Sequence, residues 1–166
     1  MPPDTSIRLA RTADLPAILE ILNQAITEET IAIIDPVNLA ERQQWFVQHT
    51  PATFPILVAE VQGKISGWCS LSAYRSGRRA LGLVTEISYF VHRDQRRRGI
   101  ATLLVERMLA LAPGLGYETV VALLLDDNPG SIRLLERFGF VRWGLLPGIV
   151  DFNGRRVGHL YYGRKL

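Results

Sequence analysis

The stretch "HRDQRRRGIATLLVERML" runs from His92 to Leu109. Arg96, Arg97 and Arg98 lead directly into Gly99, and apolar residues at helical spacing follow: Ile100, Leu103, Leu104, Met108 and Leu111. A helix start already carries partial positive charge from its unpaired N–H groups, so carboxylates are its favoured neighbours. Arginines make sense there if an anion sits at the turn. Gly99 leaves out the Cβ that would hold the backbone away from such a ligand, and Ala101 is small. The unit of strand, basic turn, glycine and helix is therefore a candidate pyrophosphate cradle. No Gly-Lys-Ser/Thr follows it, and two glycines of the dinucleotide fingerprint are missing.

Outward from this turn the elements alternate. Ile7 to Arg11 reads as a strand, and Asp14 as the cap of a helix opening at Leu15 with Pro16 in its first turn. A second helix spans Asn38 to His49. Three strands follow: "FPILVAEV" from Phe54, "ISGWCSLSAY" from Ile65 and "LVTEISYFVH" from Leu83, with "RSGRRALG" as a polar loop before the last. After the Gly99 helix, "ETVVALLL" from Glu118 is apolar throughout, as in a strand covered on both faces. Asn128-Pro129 opens another helix, which Gly139 ends. The tail from Phe140 reads as two antiparallel strands joined around "FNG". The expected fold is one α/β domain over residues 1–166, a mixed central sheet flanked by helices.

With 166 residues, 48% of them apolar and 21% charged, the composition is that of a globular domain. A net charge of +3 is too small to argue for nucleic acid, and the arginines outside the turn are dispersed. One cysteine, Cys69, and three scattered histidines offer no disulfide framework and no metal-ligand spacing, so no metal is expected. "MPPDTSIRLA" has no apolar targeting core and no long apolar run occurs, so no membrane segment is expected and the cytoplasm is the default.

"RRRGIA", Arg96 to Ala101, resembles the Arg/Gln-x-x-Gly-x-Gly/Ala signature of the GCN5-related N-acetyltransferases (GNAT), and "NPGSIRLLERFGF" from Asn128 resembles that family's second signature. "NQAITEET" at Asn23, "WF" at Trp45, "GWCSLSAYR" at Gly67 and "VTEISYFV" at Val84 resemble the phosphinothricin and methionine-sulfoximine acetyltransferase branch. The resemblance implies a mostly antiparallel GNAT sheet, acetyl-CoA as co-substrate and direct transfer to a small amine in a ternary complex. It implies that the backbone amides of Arg97, Arg98, Gly99, Ile100 and Ala101 take the pyrophosphate, with arginine side chains such as Arg96 adding charge. Phe90 and Val91 would pair with the pantetheine arm as an added strand, and a strand N–H there would polarise the thioester carbonyl. Asn128 and Ser131 would meet the arm from the other side. Tyr74 and Arg75 match positions near the acceptor, where Arg75 would hold a carboxylate. A homodimer is also implied.

Glu86 is the candidate base. It interrupts an apolar strand, where a charge is costly to bury without purpose, and alternation places it on one face with Ser88 and Phe90. An amine must lose a proton to attack, and a carboxylate can take it. Two positions depart from the family. Leu135 stands where a His or Tyr donates a proton to the leaving thiolate, which leaves Ser131 or Tyr161 as donor or no dedicated acid at all. Gly158 stands roughly where the branch carries an Asp. Three other readings stand beside small-amine acetylation: a peptide or protein N-terminus as acceptor, a non-catalytic coenzyme-A sensor, and a nucleic-acid binder.

Overall fold

A computed structural model describes residues 5–166; the stretch read for a targeting segment begins in residues 1–4, outside the described residues. The strands are β1 (Thr5–Leu9), β2 (Ile56–Val61), β3 (Lys64–Ala73), β4 (Val84–Val91), β5 (Thr119–Leu125), β6 (Val141–Phe152) and β7 (Arg155–Lys165). The helices are α1 (Leu15–Thr27), α2 (Leu39–Val47), α3 (Ile100–Leu111) and α4 (Pro129–Arg137). The strands form one sheet in the order β1-β2-β3-β4-β5-β7-β6. Every pairing is antiparallel except β4 with β5.

Alternation along the strands builds two cores. On one face Leu57, Cys69, Leu71, Ile87, Ala122, Leu124, Leu160 and Tyr162 pack against Ile100, Leu104, Val105 and Met108 of α3 and Leu135 of α4. On the other, Ile56, Val58 and Trp68 pack against Ile18, Ile21, Leu22 and Ile26 of α1. Burying one fully apolar side chain of this kind contributes about 1.5–3 kcal/mol. On α3 the buried stripe is Ile100, Leu104, Val105, Met108 and Leu109, so Leu103 and Leu111, expected on it, lie at its margin. The reason is width: a helix covering a sheet buries a band broader than a single ridge.

Asp14 does not cap α1 with its side chain. Its carboxylate accepts from the backbone N–H of Arg11 at 2.7 Å and from both terminal nitrogens of Arg8 at 2.7 and 2.9 Å. It ties β1 to the turn before α1. The Arg8 guanidinium holds the Asp14 carboxyl below the usual carboxylate range. α2 has a full capping box, Asn38 with Glu41. The buried Arg42 of α2 lies over the rings of Trp45 and Trp68, 3.2 and 4.6 Å from their centroids, and fastens this helix by cation–π contact.

The sheet is divided in the middle. β4 and β5 pair in parallel only at Val84 with Thr119, Thr85 with Val120 and Glu86 with Val121. Beyond that register Ile87 to Val91 and Ala122 to Leu125 have no ladder partner between them. β4 stays paired to β3 through Val91, and β5 to β7 through Leu125, so the two half-sheets part like the arms of a V.

Candidate active site

The V is the mouth of a groove of about 490 Å³. Its floor and walls come from Ile87 to Val91 of β4, Ala122 to Leu125 of β5, the turn before α3 and the first turns of α4. Unpaired strand edges are exposed donors and acceptors, so an extended ligand can enter as a strand between them.

The basic turn closes the outer end. Gly99 has φ +83° and Arg97 has φ +60°, two left-handed residues within four. Such a backbone points successive N–H groups to one side, an anion-binding nest. A Cβ on Gly99 would meet no protein atom within 4 Å, so the space in front of it is open to a ligand. Arg97, Gly99, Ile100 and Ala101 line the groove. Arg96 also lines it, but its guanidinium is ion-paired with Glu28 after α1 and is tied down there. Arg98 is exposed and stands outside the lining. The cradle is therefore a backbone device, with Arg97 as the arginine side chain left at its edge.

On the far wall Asn128 caps α4, its Oδ1 accepting the Ser131 N–H at 3.1 Å. Asn128 and Ser131 both line the groove. Leu135, one turn further on, is 1% exposed and contributes apolar wall. Phe90 and Val91 lie on opposite faces of β4, Phe90 stacked at 4.6 Å on Trp68 and Val91 against the α3 core.

Glu86 stands at the closed end of the V, in the last paired register of β4 with β5 and opposite Ser72 of β3. Its side chain shares a face with Ser88 and Phe90, the α1 side of the sheet. Burial pushes its carboxyl above the usual range, because desolvation penalises the charged form. Tyr74 and Arg75 follow β3 in a turn, with Arg75 exposed at φ +55°; neither lines the groove. The polar loop before β4 holds a 3-10 turn, Arg79–Leu81. Tyr161 also stands outside the groove, beside His159.

Among the lining residues that escaped the sequence, three carry polar groups of note, and a fourth residue, Asp126, lies just outside the lining. Tyr89 lines the groove on the α4 side, its hydroxyl interacting with the Ser131 side chain. His159 of β7 lines it on the α1 side, and burial lowers its imidazole, favouring the neutral form. Gln95 lines it with a buried Oε1 that takes no hydrogen bond among the described residues. Asp126 fills the place of the missing side chain at Gly158: its Oδ1 accepts the Gly158 N–H at 2.9 Å, and a Cβ at 158 would run into the carboxylate. The strand pattern gives a weak signal for Tyr89, a hydroxyl among Ile87 and Val91. The others depend on contacts between distant segments. Among the described residues no group of three His, Cys, Asp or Glu could hold a metal, and no helix is long and apolar enough to cross a membrane.

The groove fits a long, narrow, anionic-headed thioester. It offers an amide nest for phosphates, an unpaired strand edge for amides, an orphaned amide oxygen in Gln95 and an apolar inner wall. Comparison with known proteins agrees. The profile of the acetyltransferase (GNAT) family matches residues 16–140. The L-methionine sulfoximine/L-methionine sulfone acetyltransferase of Pseudomonas aeruginosa is 37% identical over 152 residues, 90% of this chain and 88% of that protein. A GNAT superfamily phosphinothricin acetyltransferase from Sinorhizobium meliloti, solved in complex with acetyl-CoA, superposes with a TM-score of 0.93 at 27% identity, covering 98% of this chain and 88% of that one. The ribosomal-protein-alanine N-acetyltransferase of Brucella melitensis gives a TM-score of 0.90 at 32% identity, covering 97% and 99%.

Proposed function

The chain belongs to the GNAT family and is an acetyl-CoA-dependent N-acetyltransferase, and from that premise we propose that the whole chain works as one domain that acetylates the primary amine of a small amino acid or amino-acid analogue by direct transfer in a ternary complex. The observation that carries this reading is the position of Glu86. Glu86 does not itself line the groove: it stands in the last register where the two half-sheets meet, next to Ile87 at the groove's inner end and on the face away from α3 and α4. An acceptor entering from the α1 side would meet the thioester there. Two of the relatives named above are acetyltransferases of methionine sulfoximine and of phosphinothricin, compounds that pair a primary amine with a carboxylate.

Bound acetyl-CoA supplies the thioester carbonyl. The nest of Arg97 to Ala101 fixes its phosphates, and the free edge of β4 at Phe90 and Val91 takes the arm as a strand. A β4 N–H at the inner end polarises the carbonyl oxygen. Glu86 accepts the proton that the amine gives up on attack, directly or through one water. Its raised pKa suits a base, since an acid of higher pKa binds the proton more strongly. Arg75, in the turn that follows β3, is the candidate partner of the acceptor carboxylate. The strip of apolar residues on β6 is proposed to form a homodimer, and the cytoplasm to be the site of action.

The similarity to a ribosomal-protein-alanine N-acetyltransferase favours one second reading, a peptide N-terminus as acceptor. A panel of amino acids, sulfoximine and phosphinic analogues and short peptides, followed by release of coenzyme thiol, decides between them. Turnover confined to free amino acids and analogues is expected. Turnover confined to peptides would replace the first reading with the second, and coenzyme binding with no acceptor turned over would reduce the protein to a sensor.

A further inference from the structure

Transfer leaves a negative charge on sulfur at the inner, apolar end of the groove, and Leu135 cannot stabilise it. The donors of the lining sort by position. Arg96 is ion-paired with Glu28, and Arg97 sits at the outer turn. Ser88 and His159 lie on the acceptor face. Asn128 sits at the α4 start, its Oδ1 accepting the Ser131 N–H and its amide about two helical turns short of Leu135. Tyr89 remains. It packs with Ile87 and Val91 on the α4 side of the V, and it shares the wall with Ser131 and Leu135. Its hydroxyl interacts with Ser131, in the turn of α4 that precedes Leu135. Burial pushes the phenol up to about 12, so it keeps its proton at neutral pH and stays a donor.

We propose that the Tyr89 hydroxyl, oriented by Ser131, donates a hydrogen bond to the coenzyme sulfur as the thioester breaks, and that β4 thereby supplies the group that α4 lacks at Leu135. The proposal rests on the groove being the acetyl-CoA site. The amine lone pair forms the new C–N bond, and the ammonium proton passes to Glu86. The C–S bond breaks with its electron pair remaining on sulfur. Tyr89 holds that thiolate without giving up its proton, since its own acid is weaker than a thiol of pKa ~8.5. The thiolate takes a proton from water on leaving. Tyr89 touches the reacting atoms and is a catalytic residue; Ser131 is a positioning residue.

The test is a titration of bound coenzyme A, followed through the ultraviolet band of its thiolate, in the wild type and in Tyr89→Phe. The wild type is expected to bind the thiol with a pKa below that of free coenzyme, and Tyr89→Phe to return it toward the free value. Turnover in Tyr89→Phe should fall ~10- to 100-fold, the worth of one hydrogen bond to a charged group, with acetyl-CoA affinity retained. Replacing Tyr89 by a fluorinated tyrosine keeps the ring's shape and fold, makes a stronger donor, and should lower the bound thiol pKa further. A bound thiol that titrates like free coenzyme in the wild type, or identically in the three proteins, would overturn the assignment of Tyr89 and leave the acetyltransferase intact. Failure of coenzyme A to bind at all would instead overturn the reading of the groove.

Discussion

Glu86 and Gly99 break the local pattern of their elements, Leu135 departs only from the family signature, and each carries a separate expectation. Glu86→Gln keeps shape and removes the base, so turnover should fall about 10²- to 10⁴-fold with coenzyme affinity unchanged. The Glu86 carboxyl is raised by burial, so it is ionised only above that raised pKa. Wild-type turnover should therefore decline as pH falls through it, and that limb should vanish in Glu86→Gln. The loss should also narrow at high pH, where free amine is abundant; a loss independent of pH would make Glu86 structural. Gly99→Ala puts a methyl group into open space, so folding should survive at a cost of about 1–2 kcal/mol for the left-handed conformation. Coenzyme affinity, read by calorimetry, should drop at least ~10-fold because the methyl faces the nest. Leu135→Ala should cost about 2–5 kcal/mol in denaturant melts, since the side chain is fully buried, and should weaken the coenzyme as well. Glu86 and Gly99 were legible because a lone acid in an apolar strand, or a glycine after three arginines, contradicts its neighbours. Tyr89, Gln95 and His159 obey theirs, and only the groove gives them meaning.

Among the elements, the joint between β1 and α1 depends on one carboxylate. The sequence places an acid before the helix and predicts a cap, but the Arg8 side chain reaches it first from β1. Asp14→Asn should lose about 1.5–3 kcal/mol of stability, the worth of its charged hydrogen bonds. The pH dependence has a definite sign. Asp14 is depressed in the folded state, so its contribution is complete above the unfolded value of ~3.9 and is lost as pH falls through the folded one. Acid melts of wild type and variant should therefore converge at low pH; parallel curves would mean the pair contributes nothing. Apolar patterning and turn residues located every α-helix and strand to within a few residues, the helices by one buried face and a central strand such as β5 by its continuous apolar run. The parallel register of β4 with β5 and its abrupt end after Glu86 were not legible, since each strand pairs with partners far away in sequence. The final hairpin was legible at "FNG", but not that β7 rather than β6 would lie inside the sheet.

At the scale of the whole molecule the edge strand β6 exposes several large apolar side chains beside the charged Arg142 and Asp151. Val141, Trp143, Leu145, Leu146 and Ile149 are each between 40 and 58% exposed. The proposed homodimer would cover this edge strand, where exposed apolar side chains and unpaired backbone groups favour association. Light scattering at micromolar concentration should give the mass of two chains, and Leu145→Lys with Ile149→Lys should give one; a monomeric wild type would remove the dimer. The V between β4 and β5 has a different consequence. It is an edge in the interior of a sheet, and an unfilled edge invites any extended peptide, including one from another copy of this protein. A co-substrate seated in the V as proposed would also guard the fold: at a hundred times its dissociation constant a ligand adds about 2.7 kcal/mol to stability. The supply of acetyl-CoA would then govern the lifetime of this protein as well as its rate, with starved molecules the first to aggregate or be degraded.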